Sequence, residues 1–305
     1  MENHPRICEI LVDTKAFRDL VKPVILTSGE LGIYYVNTEK LVQDDNEWEK
    51  FGNDAKLMIQ HAVRMMDAHP TYREVIEIMA EKVKYLLRGK NDLLVSGGQR
   101  RDWIFSGPVA HLLTLPHLAL YNAGDKIGKH EVIIGKNIVM ADARIANHYI
   151  VHVSDLITSG SSAYNEMTDK PSWIPMIQKK DGIIEHMVNV VTRQQGGEKN
   201  LAKAKVKSHS FVAIDEDFLR RYSIQPEVSV AYVRNPRQWS TDYITAEGIG
   251  AFVEFFDPKG KKLDRAQKFL LTYDKVLKST GNYEKLEMAV KGLYSTNFND
   301  LFGRK

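Results

Sequence analysis

Three short apolar runs in this chain each end in a polar turn that carries glycine: LLVSGGQRR at 93–101, YIVHVSDLITSGSS at 149–162 and HMVNVVTRQQGG at 186–197. Segments with apolar residues at helical spacing alternate with them, and that alternation restricts the chain to few architectures. Strands joined through helices pair in parallel, and a parallel sheet needs both faces covered. The expected fold is therefore α/β, a mostly parallel sheet flanked by helices, with ligands bound beyond the carboxyl ends of the strands.

The remaining segments fit this plan. DAKLMIQHAVRMMD at 54–67 and TYREVIEIMAEKVKYLLR at 71–88 read as two helices broken at His69-Pro70. Leu93–Val95 reads as a strand, Ser96–Arg101 as a turn, Ile104–Leu113 as a helix and His117–Tyr121 as a strand. Residues 122–147, with glycines at 124, 128 and 135, suggest a long loop or hairpin, a kind of segment that often carries function. Tyr149–Val153 is expected to be a strand with a helix starting at Ser162, and FVAI at 211–214 a last strand. Past Tyr222 the chain turns rich in Pro, Trp and Tyr, and Leu263, Ala266, Phe269, Leu270, Tyr273 and Leu277 share one helical face.

Composition narrows the partners. With 305 residues, 43% hydrophobic, the chain can bury one large core or a core with an appendage. Lys and Arg total 42 against 39 Asp and Glu, and a net charge of +3 points away from nucleic acid and towards a local anion. The single cysteine, Cys8, rules out an internal disulfide and a cysteine-built metal site. No basic-then-apolar leader opens the sequence, and no apolar run approaches the ~20 residues that span a bilayer. The expectation is a cytoplasmic protein without a membrane partner.

The chemistry concentrates at 154–162. TSGSS at 158–162 offers consecutive backbone N–H groups, hydroxyls and a glycine ahead of the expected helix, which together make a nest for a phosphate. The Asp155 carboxylate just before it could accept hydrogen bonds from sugar hydroxyls or hold a hydrated magnesium ion. Phosphate and polyol side by side suggest a ribose 5-phosphate. A strand running into a Ser/Thr-capped helix with no ligand is the other reading of the stretch alone.

VHVSDLITSGSSAYNE resembles the signature of the type I phosphoribosyltransferases, in which an apolar strand is followed by two acids, two variable residues and a Thr-Thr/Ser-Gly-Thr/Ser run. PVILTSGELGIYYVNTEKLV and VVTRQQGGEKNLAKAKV resemble two further segments of the orotate phosphoribosyltransferases, and the likeness runs over roughly residues 15–222. It implies Mg²⁺-dependent transfer of ribose 5-phosphate from phosphoribosyl diphosphate to a pyrimidine base, orotate first, by a homodimer. It also implies a phosphoribosyltransferase-like domain over 1–224, N-terminal hood included, and an added C-terminal α+β extension over 225–305. Asp155 and Ser154 would then face the ribose hydroxyls, and Thr158, Ser159, Gly160, Ser161 and Ser162 the 5-phosphate. Arg101 falls near the family's diphosphate-loop lysine; Arg193, Tyr34, Tyr35 and Thr158 would hold the base. The magnesium would be carried on the diphosphate, with Asp155 as its protein ligand.

Several positions depart from the pattern. Ser154 stands in for the first acid, Tyr121-Asn122 for an Arg-Lys pair and Thr192 for the acid before Arg193. Lys126, Lys129 and His130 could supply the charge of the family's mobile catalytic loop from a shifted register. A serine accepts hydrogen bonds but cannot offset positive charge at the ribose, a loss of about 1.5–3 kcal/mol. Two alternatives stay open: a phosphoribosyl diphosphate-binding regulator without turnover, and a transferase with another acceptor.

Overall fold

The computed structural model describes residues 2–26, 28–135, 138–165, 171–247 and 249–303. The strands are β1 (Phe17–Ile25), β2 (Leu31–Val36), β3 (Leu93–Gly98), β4 (His117–Leu120), β5 (His130–Ile134), β6 (Ile138–Ala141), β7 (Tyr149–Ile157), β8 (Ile183–Thr192) and β9 (Lys207–Ala213). The helices of the first half are α1 (Pro5–Asp13), α2 (Ala55–Ala68), α3 (Pro70–Leu86), α4 (Trp103–Leu112), α5 (Trp173–Gln178) and α6 (Gly197–Lys203). Six more follow: α7 (Glu216–Tyr222), α8 (Pro226–Arg234), α9 (Pro236–Glu247), α10 (Leu263–Ser279), α11 (Asn282–Tyr294) and α12 (Phe298–Phe302). The chain divides into two compact units, one of Met1–Ala16 and Asn37–Ile214, the other of Phe17–Val36 and Asp215–Lys305.

The first unit is the α/β fold. Its seven-stranded sheet runs β6-β5-β4-β3-β7-β8-β9; β4, β3, β7, β8 and β9 are mutually parallel, and the β5–β6 hairpin adds an antiparallel edge. That hairpin is what the polar stretch 122–147 contains. Successive residues of a strand point to opposite faces, and β3 shows what covers each. A Cβ on Gly97 would strike Ser106 of α4, whereas one on Gly98 would strike the indole of Trp173 in α5. Helices thus cover both faces, and α2 and α3 pack in turn on α4. The polar-to-apolar spacing of α2 buries Met58, Ile59, Ala62 and Met66, and Asp54 caps it by accepting from Leu57 N at 2.9 Å, a cap that contributes about 1 kcal/mol.

From β3 the chain steps outward to β4, then returns to place β7 on the other side of β3. The connections leaving β3 and β7 therefore diverge, which opens a crevice at their carboxyl ends. Open α/β sheets bind ligands at such a switch point.

The second unit has its own core. Phe252, Phe255, Phe256, Phe269, Tyr273, Leu277, Leu286 and Val290 pack with Ile25 and Leu31 of the antiparallel β1–β2 hairpin. The apolar face read on 263–277 is the core-facing stripe of α10; Ala266, Phe269, Leu270, Tyr273 and Leu277 are buried. Gly29 turns the hairpin at φ +87°, and a Cβ there would lie 2.6 Å from the Lys268 backbone.

Three expectations are corrected. The boundary falls at 214/215, not 224/225, and the N-terminal hairpin groups with the C-terminal helices, because the hairpin's apolar residues join their core. The regular elements described after Asp215 are all helices, so the β part of the second unit comes from β1 and β2. No α-helix begins at Ser162: residues 161–163 form a turn, and helix resumes at Trp173. Glu166–Lys170, the end of the signature included, lie outside the described residues. No helix among the described residues is long and apolar enough to cross a membrane.

Candidate active site

A cavity of about 320 Å³ occupies the crevice between the ends of β3 and β7. Its wall is formed by Gln99, Arg101 and Asp102 after β3, by Ser154–Thr158 and Gly160–Ala163 along and after β7, and by Trp173 and Met187. The structure thus brings together Arg101, Ser154, Asp155, Thr158, Gly160, Ser161 and Ser162 from residues that sequence reasoning singled out.

The loop 158–163 is held by a backbone seam. Gly197 N donates to Thr158 O at 2.9 Å. Gly160 sits at φ +72°, and a Cβ on it would lie 3.1 Å from Gly197 Cα. A Cβ on Gly197 would lie 2.6 Å from Thr158 O. Gly197 is required by this close approach of loop to α6, and Gly196 by its φ of +94°. Asn200 of α6 adds a bond from Nδ2 to Tyr164 O at 2.6 Å. Gly160 O accepts from Ala163 N and Tyr164 N, closing the tight turn that presents the hydroxyls of Ser161 and Ser162. Both serines are exposed.

Asp155 lies within β7, not at its tip, and is only 5% exposed. Thr38 Oγ1 donates to its Oδ2 at 2.5 Å, and an Arg101 guanidinium nitrogen stands 3.7 Å from the same oxygen. Arg101 Nε also pairs with Glu39 at 2.6 Å. Burial, followed by the charge of Asp102, pushes the Asp155 carboxyl up to about 7, against the pull of Arg101 and the Thr38 hydrogen bond. Both Thr38 and Glu39 come from one short 3₁₀ turn, Thr38–Leu41, capped by Asn37. Nothing near 38–39 in the sequence signals this role, since the turn reaches the site only through the fold.

Ser154 faces a different task. Its Oγ donates to Asn189 Oδ1 at 2.8 Å, and Asn189 Nδ2 donates to Ser208 and Ser210 at 2.7 and 3.1 Å. The residue opposite Ser154 on β8 is Asn189, so its hydroxyl belongs to a polar row across β7, β8 and β9. Asp102, which the sequence reading passed over, has side-chain exposure of 13% and lies on the cavity wall. An acid directly after two arginines in a glycine turn was the available signal.

Similar folds are known among phosphoribosyltransferases. The orotate phosphoribosyltransferase of Aeropyrum pernix matches at TM-score 0.49 and 15% identity over 70% of this chain and 97% of its own. UMP synthase of Leishmania donovani matches at 0.47 and 16% over 75% of this chain and 41% of its own. Adenine phosphoribosyltransferase of Thermoanaerobacter pseudethanolicus matches at 0.40 and 14% over 64% and 96%. No protein-family model matches the chain. No curated protein matches it.

Other expected site residues lie off this cavity. Lys126 pairs with Glu131 at 2.8 Å and sits over the Tyr121 ring. His130 is buried in β5, with Nε2 2.8 Å from Ala143 O. Both therefore stand off this cavity within the chain; Lys129 is exposed in the turn before β5. Arg193 does not line the cavity; its backbone N–H donates to Ile157 O at 3.0 Å, beside the loop. Thr192 Oγ1 hydrogen-bonds Glu198, which ties β8 to α6 where the pattern has an acid. Ser159 is likewise absent from the lining. Tyr34 and Tyr35 belong to the second unit. Tyr34 is buried with its ring centroid 5.9 Å from those of Phe17 and Tyr232, so it packs a core; Tyr35 is half exposed.

Among the described residues no cluster of three metal-ligating side chains exists. Asp155 and Asp102 nonetheless give the cavity two carboxylates. That set fits magnesium held chiefly by substrate phosphates, a common arrangement for this ion.

Proposed function

We propose that this protein binds phosphoribosyl diphosphate in the β3–β7 crevice and transfers its ribose 5-phosphate to a nucleobase. The observation that carries the reading is the juxtaposition, on one 320 Å³ cavity, of the Thr158–Ala163 turn, the Asp155 carboxylate and Arg101. Serine hydroxyls and backbone N–H groups at 158–162 take the 5-phosphate, Asp155 accepts from the ribose hydroxyls, and Arg101 binds the diphosphate through paired N–H groups. To do so Arg101 exchanges its Glu39 partner for phosphate oxygens. Magnesium, if carried in on the diphosphate, would be met by Asp155 and would neutralise charge on the leaving group. The chain's own contribution is to align donor and acceptor and to place fixed charges about the breaking bond.

The acceptor is a planar base bearing an acid group, orotate first. Arg193 supports this by its position, since its backbone N–H bonds Ile157 O beside the phosphate loop. The protein acts as a cytoplasmic homodimer in this reading. Incubation with phosphoribosyl diphosphate, Mg²⁺ and a panel of bases headed by orotate should release diphosphate. Saturable donor binding with no release for any base would replace this reading by the regulator, which the engagement of Lys126 by Glu131 and the burial of His130 favour.

A further inference from the structure

We infer that Asp102 is the second carboxylate of this cavity and contacts the sugar of the bound donor. The inference rests on the donor-binding reading above. The acid expected beside Asp155 is missing from β7, and the Ser154 hydroxyl that replaces it is committed to Asn189. The fold supplies a carboxylate from another strand instead. Asp102 follows β3 across the switch point; its Oδ2 accepts from Gly98 N at 3.1 Å and its Oδ1 from Asp155 N at 3.4 Å. His152 Nε2 stands 3.5 Å from Oδ2. These bonds fix the carboxylate against the ends of β3 and β7 together, while leaving it on the cavity wall.

Held there, Asp102 and Asp155 bracket the position of a polyol, and each can accept from a hydroxyl. In the transfer, the bond from the anomeric carbon to the diphosphate oxygen breaks with its electron pair leaving on diphosphate. A lone pair of the base nitrogen then forms the new bond, and the proton that nitrogen carried passes to the departing diphosphate. Asp102 exchanges no proton and forms no bond; its charge offsets the positive character at the anomeric carbon between those events. Arg101, flanked by Asp155 and Glu39, keeps the opposite charge on the diphosphate side.

Asp102→Asn keeps the size of the side chain and an acceptor for Gly98 N–H, and removes the charge together with the long acceptor contact to Asp155 N–H. Calorimetric titration with phosphoribosyl diphosphate and Mg²⁺ should show roughly tenfold weaker binding, the scale of one charged hydrogen bond. Inorganic diphosphate with Mg²⁺, which carries no sugar, should bind that variant no more weakly than the wild type. A role confined to anchoring the turn would weaken inorganic diphosphate as well, because Arg101 sits in the same turn. Wild-type affinity for phosphoribosyl diphosphate in Asp102→Asn, or equal weakening of both ligands, with Asp155→Asn weakened, would overturn the inference and spare the donor site. Unchanged binding in both variants would overturn the donor site and this inference with it. Should Asp102→Asn fail to fold, Asp102→Glu keeps the charge and displaces it; weaker binding of phosphoribosyl diphosphate with inorganic diphosphate unaffected is expected, and wild-type affinity for both would overturn the assignment.

Discussion

Asp155 joins burial to chemistry at the scale of a single residue. Its carboxyl is raised to about 7 in the folded protein, above its value of 3.8 in an open chain. A raised carboxyl favours the folded state while it is protonated. That contribution is complete below the unfolded value and is lost as pH climbs towards about 7. Thermal unfolding should therefore show stability falling across that window, and Asp155→Asn should flatten the fall. Donor affinity should run the other way, tightening as the carboxylate ionises and can accept two hydroxyls. Ser154→Asp offers a contrast. Beside Asn189 Oδ1 an aspartate would set two acceptors against each other, so it should destabilise by about 1–3 kcal/mol. A melting scan of Ser154→Asp that matches the wild type would show the polar row to be adaptable.

At the scale of elements, the helix and strand patterns at 55–112 were legible because their apolar spacing reflects burial on one face. The extent of β7 was not. Its last four residues look like a loop, yet they pair with β8 through Ser154–Asn189, Leu156–Val191 and Ile157–Thr192, and only the partner strand reveals it. The expected helix at Ser162 fails for a similar reason: Ser162 O and Ala163 O accept from Trp173 N and Ile174 N, a distant segment. The glycine pair at 196–197 was visible, but the purpose of Gly197 lay in the seam with Thr158 and Gly160. Gly197→Ala tests that seam. Alanine should favour the helix by up to about 1 kcal/mol, whereas a Cβ 2.5 Å from Ile157 and 2.6 Å from Thr158 O forces a shift costing about 1–3 kcal/mol. A net loss of stability together with weaker donor binding is expected; a gain in melting temperature would show that the seam gives way.

On the whole-molecule scale the sheet architecture followed from the alternation of apolar runs and helices, and the site from its position at the sheet's switch point. The division into two units did not follow, because a hairpin and a helical tail some 180 residues apart share one core. Phe269→Ala should remove about 3–5 kcal/mol from that second unit, with amide exchange accelerating in α10 and α11. The central claim belongs to the first unit, that the β3–β7 crevice is a phosphoribosyl diphosphate site centred on Asp155. Isothermal titration of wild-type protein and Asp155→Asn with phosphoribosyl diphosphate and Mg²⁺, above and below pH about 7, tests it most directly. Saturable binding that tightens with rising pH in the wild type, and that is at least about tenfold weaker and less steeply pH-dependent in Asp155→Asn, is the predicted result. No binding to the wild type, or equal binding by both proteins, would contradict it.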